Sequence, residues 1–400
     1  MNRHTESIPR VGVVGVSGYG RIHLGLLREA EDAGLVKLSA AVVINREEEA
    51  AVVEELGSRG VRVHPTFDAF IASEPGRLEL CFLPTGIRWH APMTMAALCA
   101  GMNVLVEKPL AGSLEEANVI LETERKSGKF VAVGFQDMYV ETTRWLKMRL
   151  VDGAIGEVKS IRFVGIWPRS NAYYSRNQWA GRVSSDGIQV LDSPFNNALA
   201  HFVHLSLFLG GDELDSTAHV VLTDAELLRA HQIESFDTGV IRAESASGVK
   251  FWFGASHASS EQREPEIHIE GTRGRAVWLF DDRCTITRQG GGSEQRPVPT
   301  AEEARREMTR SVIRRLADPT VFISTAASAR EHTALMEAVH RSSRIDVVDA
   351  SRVDRVRPAG AAPGEFIPSI RGLPAALARA LKSGSLLREA ELSVGQPFSR

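Results

Sequence analysis

Short apolar runs alternate regularly with amphipathic segments over the first third of this 400-residue chain. The apolar runs predict strands at residues 11–16, 36–44, 61–64, 78–83, 102–106 and 130–135, and the intervening segments predict helices at 21–30, 47–56, 92–100 and 115–127. This alternation is typical of an α/β domain with a doubly wound parallel sheet. Because 400 residues exceed one ordinary core, we predict a first domain over 1–135, a second over 136–345 and a C-terminal extension over 346–400.

The first predicted turn reads GVSGYG at residues 15–20. Glycine allows the backbone to turn tightly and to approach a pyrophosphate, whose charge is met by the N-terminus of the following helix. The turn follows a predicted strand and precedes a predicted helix, so it favours a dinucleotide site over a plain structural turn. The candidate cofactor-binding residues here are Gly15, Ser17, Gly18, Tyr19 and Gly20.

The end of the second predicted strand should face the adenosine ribose of such a cofactor. Asn45 and Arg46 stand there, where a carboxylate would favour NAD. Asparagine can bond a ribose hydroxyl without repelling a phosphate, and arginine can pair with one. We therefore expect NAD(P), with Arg46 favouring NADP. An ordinary exposed arginine at the start of a helix is the other interpretation.

A lysine directly follows the apolar run that ends at Val106. Ligands bind outside the carboxyl ends of the strands in open α/β sheets, so Lys108 is a candidate site residue on position alone. A solvated lysine in a surface loop is the alternative, because loops and lysines are both common on surfaces.

Three segments, VGVVGVSGYGRIH, VLVEKPLAGSLEEA and FVAVGF, resemble the glucose-fructose oxidoreductase and inositol dehydrogenase family, known as Gfo/Idh/MocA. The resemblance covers about residues 10 to 345. It implies that Glu107, Lys108 and Pro109 form the family's E-K-P motif, in which the lysine lies between nicotinamide and substrate and the proline follows a cis peptide. It also implies that Thr85 and His90 belong to the family's loop beneath the cofactor.

A predicted helix over residues 190–211 has apolar residues at helical spacing and ends in two glycines. Asn197 and His201 are four residues apart and should share one face of that helix. The segment is similar to the family's D-x-G-x-H-x-x-D helix, which implies a catalytic role for His201. Asn197 and His204 replace its two aspartates; Asp192 or Asn196 could compensate, and Asp192 could instead cap the helix. The H-x-x-H spacing is only a weak metal signal, and we predict no metal site.

The resemblance implies a second domain built on an open, mostly antiparallel sheet that joins two subunits in relatives. Strand-like runs at 158–167, 240–243, 249–255, 267–270 and 276–280 agree with it. One face of such a sheet would leave Phe251, Phe253 and Trp278 exposed unless something covers them. We predict a homodimer, or a homotetramer built from dimers, through this face; the C-terminal extension is the alternative cover.

Composition indicates which kinds of binding partner and which cellular compartment to expect. The net charge of −3 does not favour nucleic acid or an anionic membrane surface. The three cysteines are far apart in sequence, and residues 1–10 lead straight into a strand, so we expect a cytoplasmic protein.

The function expected from these residues is hydride transfer between NAD(P) and a secondary alcohol or ketone of a sugar, cyclitol or related polyol. His201 would act as the general base, and Lys108 would stabilise charge on the oxygen. Asn197 would contact the substrate. The alternatives are a redox-neutral hydrolase or epimerase that keeps its NAD bound, and a regulatory protein that binds the nucleotide without catalysis.

Overall fold

The structure is a computed structural model and describes residues 8–392. The expectations for the first seven residues and for the end of the C-terminal extension, 393–400, lie outside the described residues. The chain forms two compact units. The first contains residues up to Tyr139 together with Ala301–Arg330, and the second contains Val140–Thr300 and the residues from Glu331 onward. None of the helices in residues 8–392 is long and apolar enough to cross a membrane.

The strands and helices follow one another along the whole described chain. The strands are β1 (Arg10–Val14), β2 (Lys37–Val42), β3 (Arg62–His64), β4 (Leu80–Leu83), β5 (Asn103–Val106), β6 (Val131–Val133), β7 (Val158–Ile166), β8 (Ser184–Ser185), β9 (Ile188–Gln189), β10 (Val220–Arg229), β11 (Thr238–Ser245), β12 (Lys250–Ser256), β13 (Arg263–Gly271), β14 (Gly274–Leu279), β15 (Arg283–Arg288), β16 (Ser293–Pro297), β17 (Ile345–Val347), β18 (Val353–Val356) and β19 (Ile367–Ile370). The α-helices are α1 (Gly20–Asp32), α2 (Ala50–Ser58), α3 (Phe67–Ser73), α4 (Ile87–Cys99), α5 (Leu114–Ser127), α6 (Glu141–Val151), α7 (Asn171–Ser175), α8 (Ala200–Leu209), α9 (Ala301–Arg315), α10 (Ala326–Ser342) and α11 (Leu373–Ser383).

The first unit contains a six-stranded parallel sheet in the order β3-β2-β1-β4-β5-β6. This confirms the predicted doubly wound sheet. The order reverses direction between β1 and β4, which is where ligands bind in such sheets. The segments after β1, β2, β4 and β5 carry the predicted cofactor residues and leave the sheet at the same edge. Helix α3 was not predicted.

Residues 301–330 pack in the first unit although they follow the second sheet along the chain. The Val133 N–H donates to the Ser324 carbonyl at 2.8 Å, and the Ser324 N–H donates to the Tyr139 hydroxyl at 3.1 Å. The predicted domain limits at residues 135 and 345 stay predictions. Residues 301–330 lie between those limits in the sequence but pack in the first unit.

The second unit contains a nine-stranded sheet in the order β16-β15-β14-β13-β7-β12-β11-β10-β17. It is mostly antiparallel, as predicted, with parallel pairing between β7 and β12 and between β10 and β17. Strands β10, β15, β16 and β17 of this sheet were not predicted.

The three aromatic residues predicted to lie on an uncovered face lie against helix α8 instead. Phe251 and Phe253 stack on each other at 6.0 Å between ring centroids, and a Cβ atom on Gly210 would come within 2.4 Å of the Phe251 ring. Trp278 packs on Phe202 of α8 at 5.9 Å. The prediction that these side chains need a partner subunit to cover them is therefore wrong, because their own helix buries them.

The opposite face of this sheet is covered in part by the C-terminal extension. Trp252 of β12 lies on this face, and its indole Nε1–H donates to the Ser385 carbonyl at 2.8 Å. Arg162 on β7 donates to the Leu381 and Lys382 carbonyls and so satisfies the last turn of α11. The apolar core on this face consists of Val164, Ile166, Leu228, Val240, Trp252, Ala258, Val348, Ile370, Leu373, Ala376, Leu377, Ala380, Leu381, Leu386, Leu387, Ala390 and Leu392. We call this set the outer core; the extension supplies more than half of it.

Candidate functional site

The turn between β1 and α1 has the geometry of a phosphate cradle. Gly15 and Gly18 have φ of +92° and +55°, and a Cβ atom added to either would meet nothing within 4 Å. A Cβ atom on Gly20 would lie 2.5 Å from the Gly15 carbonyl oxygen, so the start of α1 closes tightly on the turn. The N–H groups of Ser17, Gly18 and Tyr19 donate to no acceptor within residues 8–392. These open amides fit the pyrophosphate of a dinucleotide.

The residues after β2 meet this turn. The Asn45 side-chain amide donates to the Ser17 hydroxyl at 3.0 Å and to the Glu48 carboxylate at 3.1 Å. Arg46 is exposed and has no hydrogen bond or ion pair within the described residues. The structure thus brings Ser17 and Asn45 together and leaves Arg46 at the surface.

Glu107 is buried directly after β5 and anchors the backbone of Lys108. Its carboxylate bonds the His23 ring nitrogen Nε2 at 2.8 Å and accepts from the Lys108 N–H at 3.1 Å. A Cβ atom on Gly134 would lie 2.7 Å from the Glu107 carboxylate, so glycine makes room for it. Burial raises the pKa of Glu107, but the His23 hydrogen bond and the nearby positive charges lower it more, and the net pKa lies below its ordinary value. Glu107 is therefore ionised at neutral pH.

His90 on α4 links the two predicted loops of the first unit. Its Nδ1 atom lies 2.6 Å from the Pro109 carbonyl oxygen, and its Nε2 atom lies 3.0 Å from the Thr85 carbonyl oxygen. Burial lowers the pKa of His90, so the ring is neutral and carries one N–H. The shorter contact assigns that proton to Nδ1, which donates to Pro109. The Lys108–Pro109 peptide is cis, as the resemblance implies.

In the second unit, helix α8 begins later than predicted. It starts at Ala200, and residues 190–199 form turns that lead into it, because the Asn196 side chain donates to the Val190 and Leu191 carbonyls and holds the chain in a loop. Asn197 therefore lies before the helix, and the premise that it shares a helix face with His201 is wrong. His201 is in the first turn of α8.

Asp192 stands beside Asn197 and places a carboxylate next to it. Its Oδ1 atom accepts from the Asn197 side-chain amide at 2.9 Å, and its Oδ2 atom accepts from the Gly181 N–H. The Tyr173 hydroxyl lies 3.4 Å from the same Asn197 amide. Leu191 has φ of +48°, a conformation that costs free energy for a leucine and that places Asp192 in the loop. Of the two predicted candidates for compensation, Asp192 contacts Asn197, whereas Asn196 supports the backbone.

His204, at the second aspartate position, points into the core. It is fully buried against His332 at 6.3 Å between ring centroids. Burial lowers the pKa of His204 well below its ordinary value, and His332 lowers it further. Within residues 8–392 no group of three His, Cys, Asp or Glu side chains could hold a metal ion.

Sequence reasoning missed His23 and Tyr173. His23 lies three residues after the last glycine of the first turn, one turn into α1, where it faces the sheet and reaches Glu107. That spacing was a signal, since a histidine on a buried helix face needs a polar partner. Tyr173 lies in the five-residue helix α7, and nothing local indicated its contact with Asn197, 24 residues further on.

Both units match models of the same protein family. A family model described as "Oxidoreductase family, NAD-binding Rossmann fold" matches residues 9–135, and a model of the GFO/IDH/MocA C-terminal domain matches residues 143–277. The two models together span well over half of the chain.

Curated relatives include D-glucoside 3-dehydrogenase of Escherichia coli (strain K12), 28% identical over 197 residues, which are 47% of this chain and 54% of that protein. Inositol 2-dehydrogenase of Pseudomonas fluorescens (strain SBW25) is 35% identical over 150 residues, which are 37% of this chain and 43% of that protein. The chain thus matches about half the length of these relatives.

A solved structure with the same fold is the WlbA dehydrogenase from Bordetella pertussis in complex with NADH and UDP-GlcNAcA. It is 22% identical, with a TM-score of 0.67, over 84% of this chain and 96% of that one.

Proposed function

The chain belongs to the Gfo/Idh/MocA family of oxidoreductases, and we propose that it transfers hydride between NAD(P) and a secondary alcohol or ketone of a sugar, cyclitol or related polyol. The observation that carries this proposal is the placement of Lys108. It follows β5 at the ligand-binding edge of a parallel sheet, with Glu107 and Pro109 fixed by His23 and His90. The dehydrogenase names of the curated relatives support the same chemistry.

Each reacting group has a separate task in this proposal. Lys108 hydrogen-bonds the substrate oxygen and stabilises the negative charge that develops there. His201 takes the hydroxyl proton in oxidation and returns it in reduction, because a histidine titrates close to neutral pH. Asn197, held by Asp192, orients the substrate through its amide. The nicotinamide, when bound, supplies the hydride acceptor or donor.

The side chains around Asn45 argue for different cofactors. Arg46 could pair with the 2′-phosphate of NADP, as predicted. Glu48 lies 3.1 Å from the Asn45 amide and would repel that phosphate while accepting from the free 2′-hydroxyl of NAD. Comparison of kcat/KM for both cofactors in Glu48→Gln and Arg46→Ala decides which side chain sets the preference.

We place the protein in the cytoplasm and expect a homodimer, or a homotetramer built from dimers. Helix α8 covers the sheet face that the dimer was expected to use, and the outer core covers part of the opposite face. The partner would then pack on strands β13–β16 of this opposite face, beside the outer core. Light scattering that gives the mass of one chain would contradict this assembly.

The test of the activity is absorbance at 340 nm with NAD+ or NADP+ and a panel of inositols, glucosides and sugar acids. We expect stoichiometric formation of reduced cofactor with at least one member, and none in Lys108→Ala. Turnover with bound nucleotide and no net absorbance change would instead indicate the redox-neutral alternative. Cofactor binding without hydride transfer to any substrate would indicate the regulatory alternative.

A further inference from the structure

Two arginines flank the tyrosine that contacts Asn197. The Arg169 guanidinium carbon lies 5.0 Å from the centre of the Tyr173 ring, and the Arg176 guanidinium carbon lies 3.5 Å from it. Arg176 also lies 5.5 Å from the Trp179 ring. A guanidinium over an aromatic ring keeps its N–H donors available at its edge. The loop between β7 and α8 therefore holds two positive charges beside the Asn197 amide.

No carboxylate of the described chain forms an ion pair with either arginine. Neither Arg169 nor Arg176 forms an ion pair within residues 8–392; their guanidinium groups donate to the Pro168 and Tyr173 carbonyls. Two buried carboxylates of this region accept hydrogen bonds from other groups. Asp192 accepts from Gly181 and Asn197.

The other buried carboxylate of this region, Asp237, is also fully engaged. It accepts from the backbone N–H groups of Ala230 and His231 and bonds the His231 ring at 2.8 Å. The Thr238 hydroxyl donates to its second oxygen. Both carboxylates thus accept hydrogen bonds from other groups, and neither pairs with Arg169 or Arg176.

Buried hydrogen-bonding atoms next to the arginines have no partner. Within the described residues, the Arg169 Nε atom and the His257 Nε2 atom are buried and unbonded. Burial, together with the Arg169 charge, lowers the pKa of His257 well below its ordinary value, so the ring is neutral. Burial raises the pKa of Tyr174, so its hydroxyl keeps its proton and donates to His257 Nδ1 at 2.8 Å. The remaining ring proton of His257 is therefore on Nε2, a second buried donor without an acceptor.

We propose that this loop binds an oxyanion of the substrate, a carboxylate or a phosphoryl group, through Arg169 and Arg176. The inference rests on the proposed function and deepens it: the enzyme acts on a sugar or polyol that carries a negative charge. The anionic group supplies an ion-pair partner for the two arginines and an acceptor for the two buried donors, Arg169 Nε and His257 Nε2. With the anionic group bound beside Tyr173, the uncharged part of the substrate would contact Asn197.

The test compares matched ligands that differ in charge. Methyl glucoside is neutral, methyl glucuronide carries a carboxylate, glucose 6-phosphate carries a phosphate monoester and UDP-glucose carries a diphosphate. Calorimetry measures their binding to the full chain with reduced cofactor, so the result does not depend on turnover. We expect at least one charged ligand to bind about 10- to 100-fold more tightly than methyl glucoside, and the ligand that does so identifies the source of the oxyanion.

The variants assign that preference to the two arginines. Arg169→Gln and Arg176→Gln should each weaken binding of the charged ligand about 10-fold or more and change binding of methyl glucoside much less. Arg296→Gln is the control, because Arg296 stacks on Trp145 in the same unit but is already paired with Glu141. If Arg169→Gln does not fold, Arg176→Gln carries the test, since Arg176 is exposed.

Two results would overturn the proposal. One is equal or tighter binding of methyl glucoside than of every charged ligand, and the other is a charge preference that both arginine variants retain. Neither result concerns hydride transfer. A failure of the proposed function would show as absent cofactor reduction, with the binding preference intact.

Discussion

The two sheets of this chain are buried differently. In the first unit, crossover helices cover a parallel sheet, and every residue of β4 is buried. In the second unit, helix α8 covers one face of a mostly antiparallel sheet, and the distant C-terminal extension covers part of the other. The consecutive aromatics Phe251, Trp252 and Phe253 on β12 are nevertheless all buried, as in a central parallel strand. A strand of a mostly antiparallel sheet that shows no polar alternation therefore indicates that both of its faces are covered.

The candidate site residues of the two units also differ in what holds them in position. Lys108 and the glycine turn follow regular strands, so the strand ends place them. Asp192, Tyr173 and Asn197 belong to irregular backbone between β7 and α8, and hydrogen bonds across that loop place them. We expect the first set to tolerate little change in identity and the second to determine which substrate is accepted.

The largest expected effect tests the two proposed reactive groups. Lys108→Ala should lower kcat about 100- to 1,000-fold because it removes stabilisation of the developing oxyanion. His201→Ala should lower kcat about 100- to 10,000-fold because it removes the general base. Lys159→Ala is the control, since Lys159 is exposed and pairs with Glu157. Wild-type turnover in either site variant would remove that residue from the mechanism.

The next effect concerns stability and tests whether the C-terminal extension packs on the second sheet. Leu377 on α11 is fully buried in the outer core, so Leu377→Ala should lower the free energy of unfolding by about 2–5 kcal/mol. Val221→Ala is the matched control, because Val221 on β10 is 65% exposed and should change it by less than about 0.5 kcal/mol. Urea denaturation measures both. Equal values for the two variants would mean that the extension does not pack on the sheet in solution.

These elements show how far the sequence alone could be used. Strand alternation predicted the parallel sheet and the positions of Ser17, Asn45 and Lys108, because in such a sheet the site lies at the strand ends. It could not predict that Trp252 is covered by residues more than 100 positions later, or that Asp192 turns toward Asn197. Those contacts depend on tertiary packing, which local periodicity does not encode. The start of α8 was misplaced because Phe195 and Leu199 continue the apolar pattern of the helix through a turn.

A smaller effect tests whether Asp192 positions Asn197. Asp192→Asn removes the charge that holds the Asn197 amide, and kcat/KM should fall about 10- to 100-fold while the melting temperature changes little. Asn196→Ala is the comparison from the same turn. It removes two bonds to backbone carbonyls and should lower the melting temperature more than kcat/KM. If the two variants lose stability and activity in the same proportion, Asp192 has only a structural role.

The smallest expected effect concerns β3, the edge strand of the first sheet. Charged side chains hold β3 in place, whereas apolar side chains hold the C-terminal extension on the second sheet. Glu74, at the end of α3, is fully buried and bonds Arg62 and His64 of β3. Burial raises the pKa of Glu74, but these two partners lower it more, and the net pKa lies below its ordinary value. The stabilisation is therefore complete above the unfolded pKa of about 4.3 and is lost as pH falls through the lower folded pKa.

Glu74→Gln should accordingly lower the free energy of unfolding by about 1–3 kcal/mol at pH 7, and its difference from wild type should shrink as the pH falls below about 4. Glu122→Gln is the control. Arg125 and Lys126 lower the pKa of Glu122 to about 2, but its pairs are exposed to solvent, so a much smaller change is expected. Urea denaturation at several pH values measures both variants. A Glu74→Gln difference that stays constant from pH 7 to pH 3.5 would mean that the carboxylate charge does not hold β3 in place.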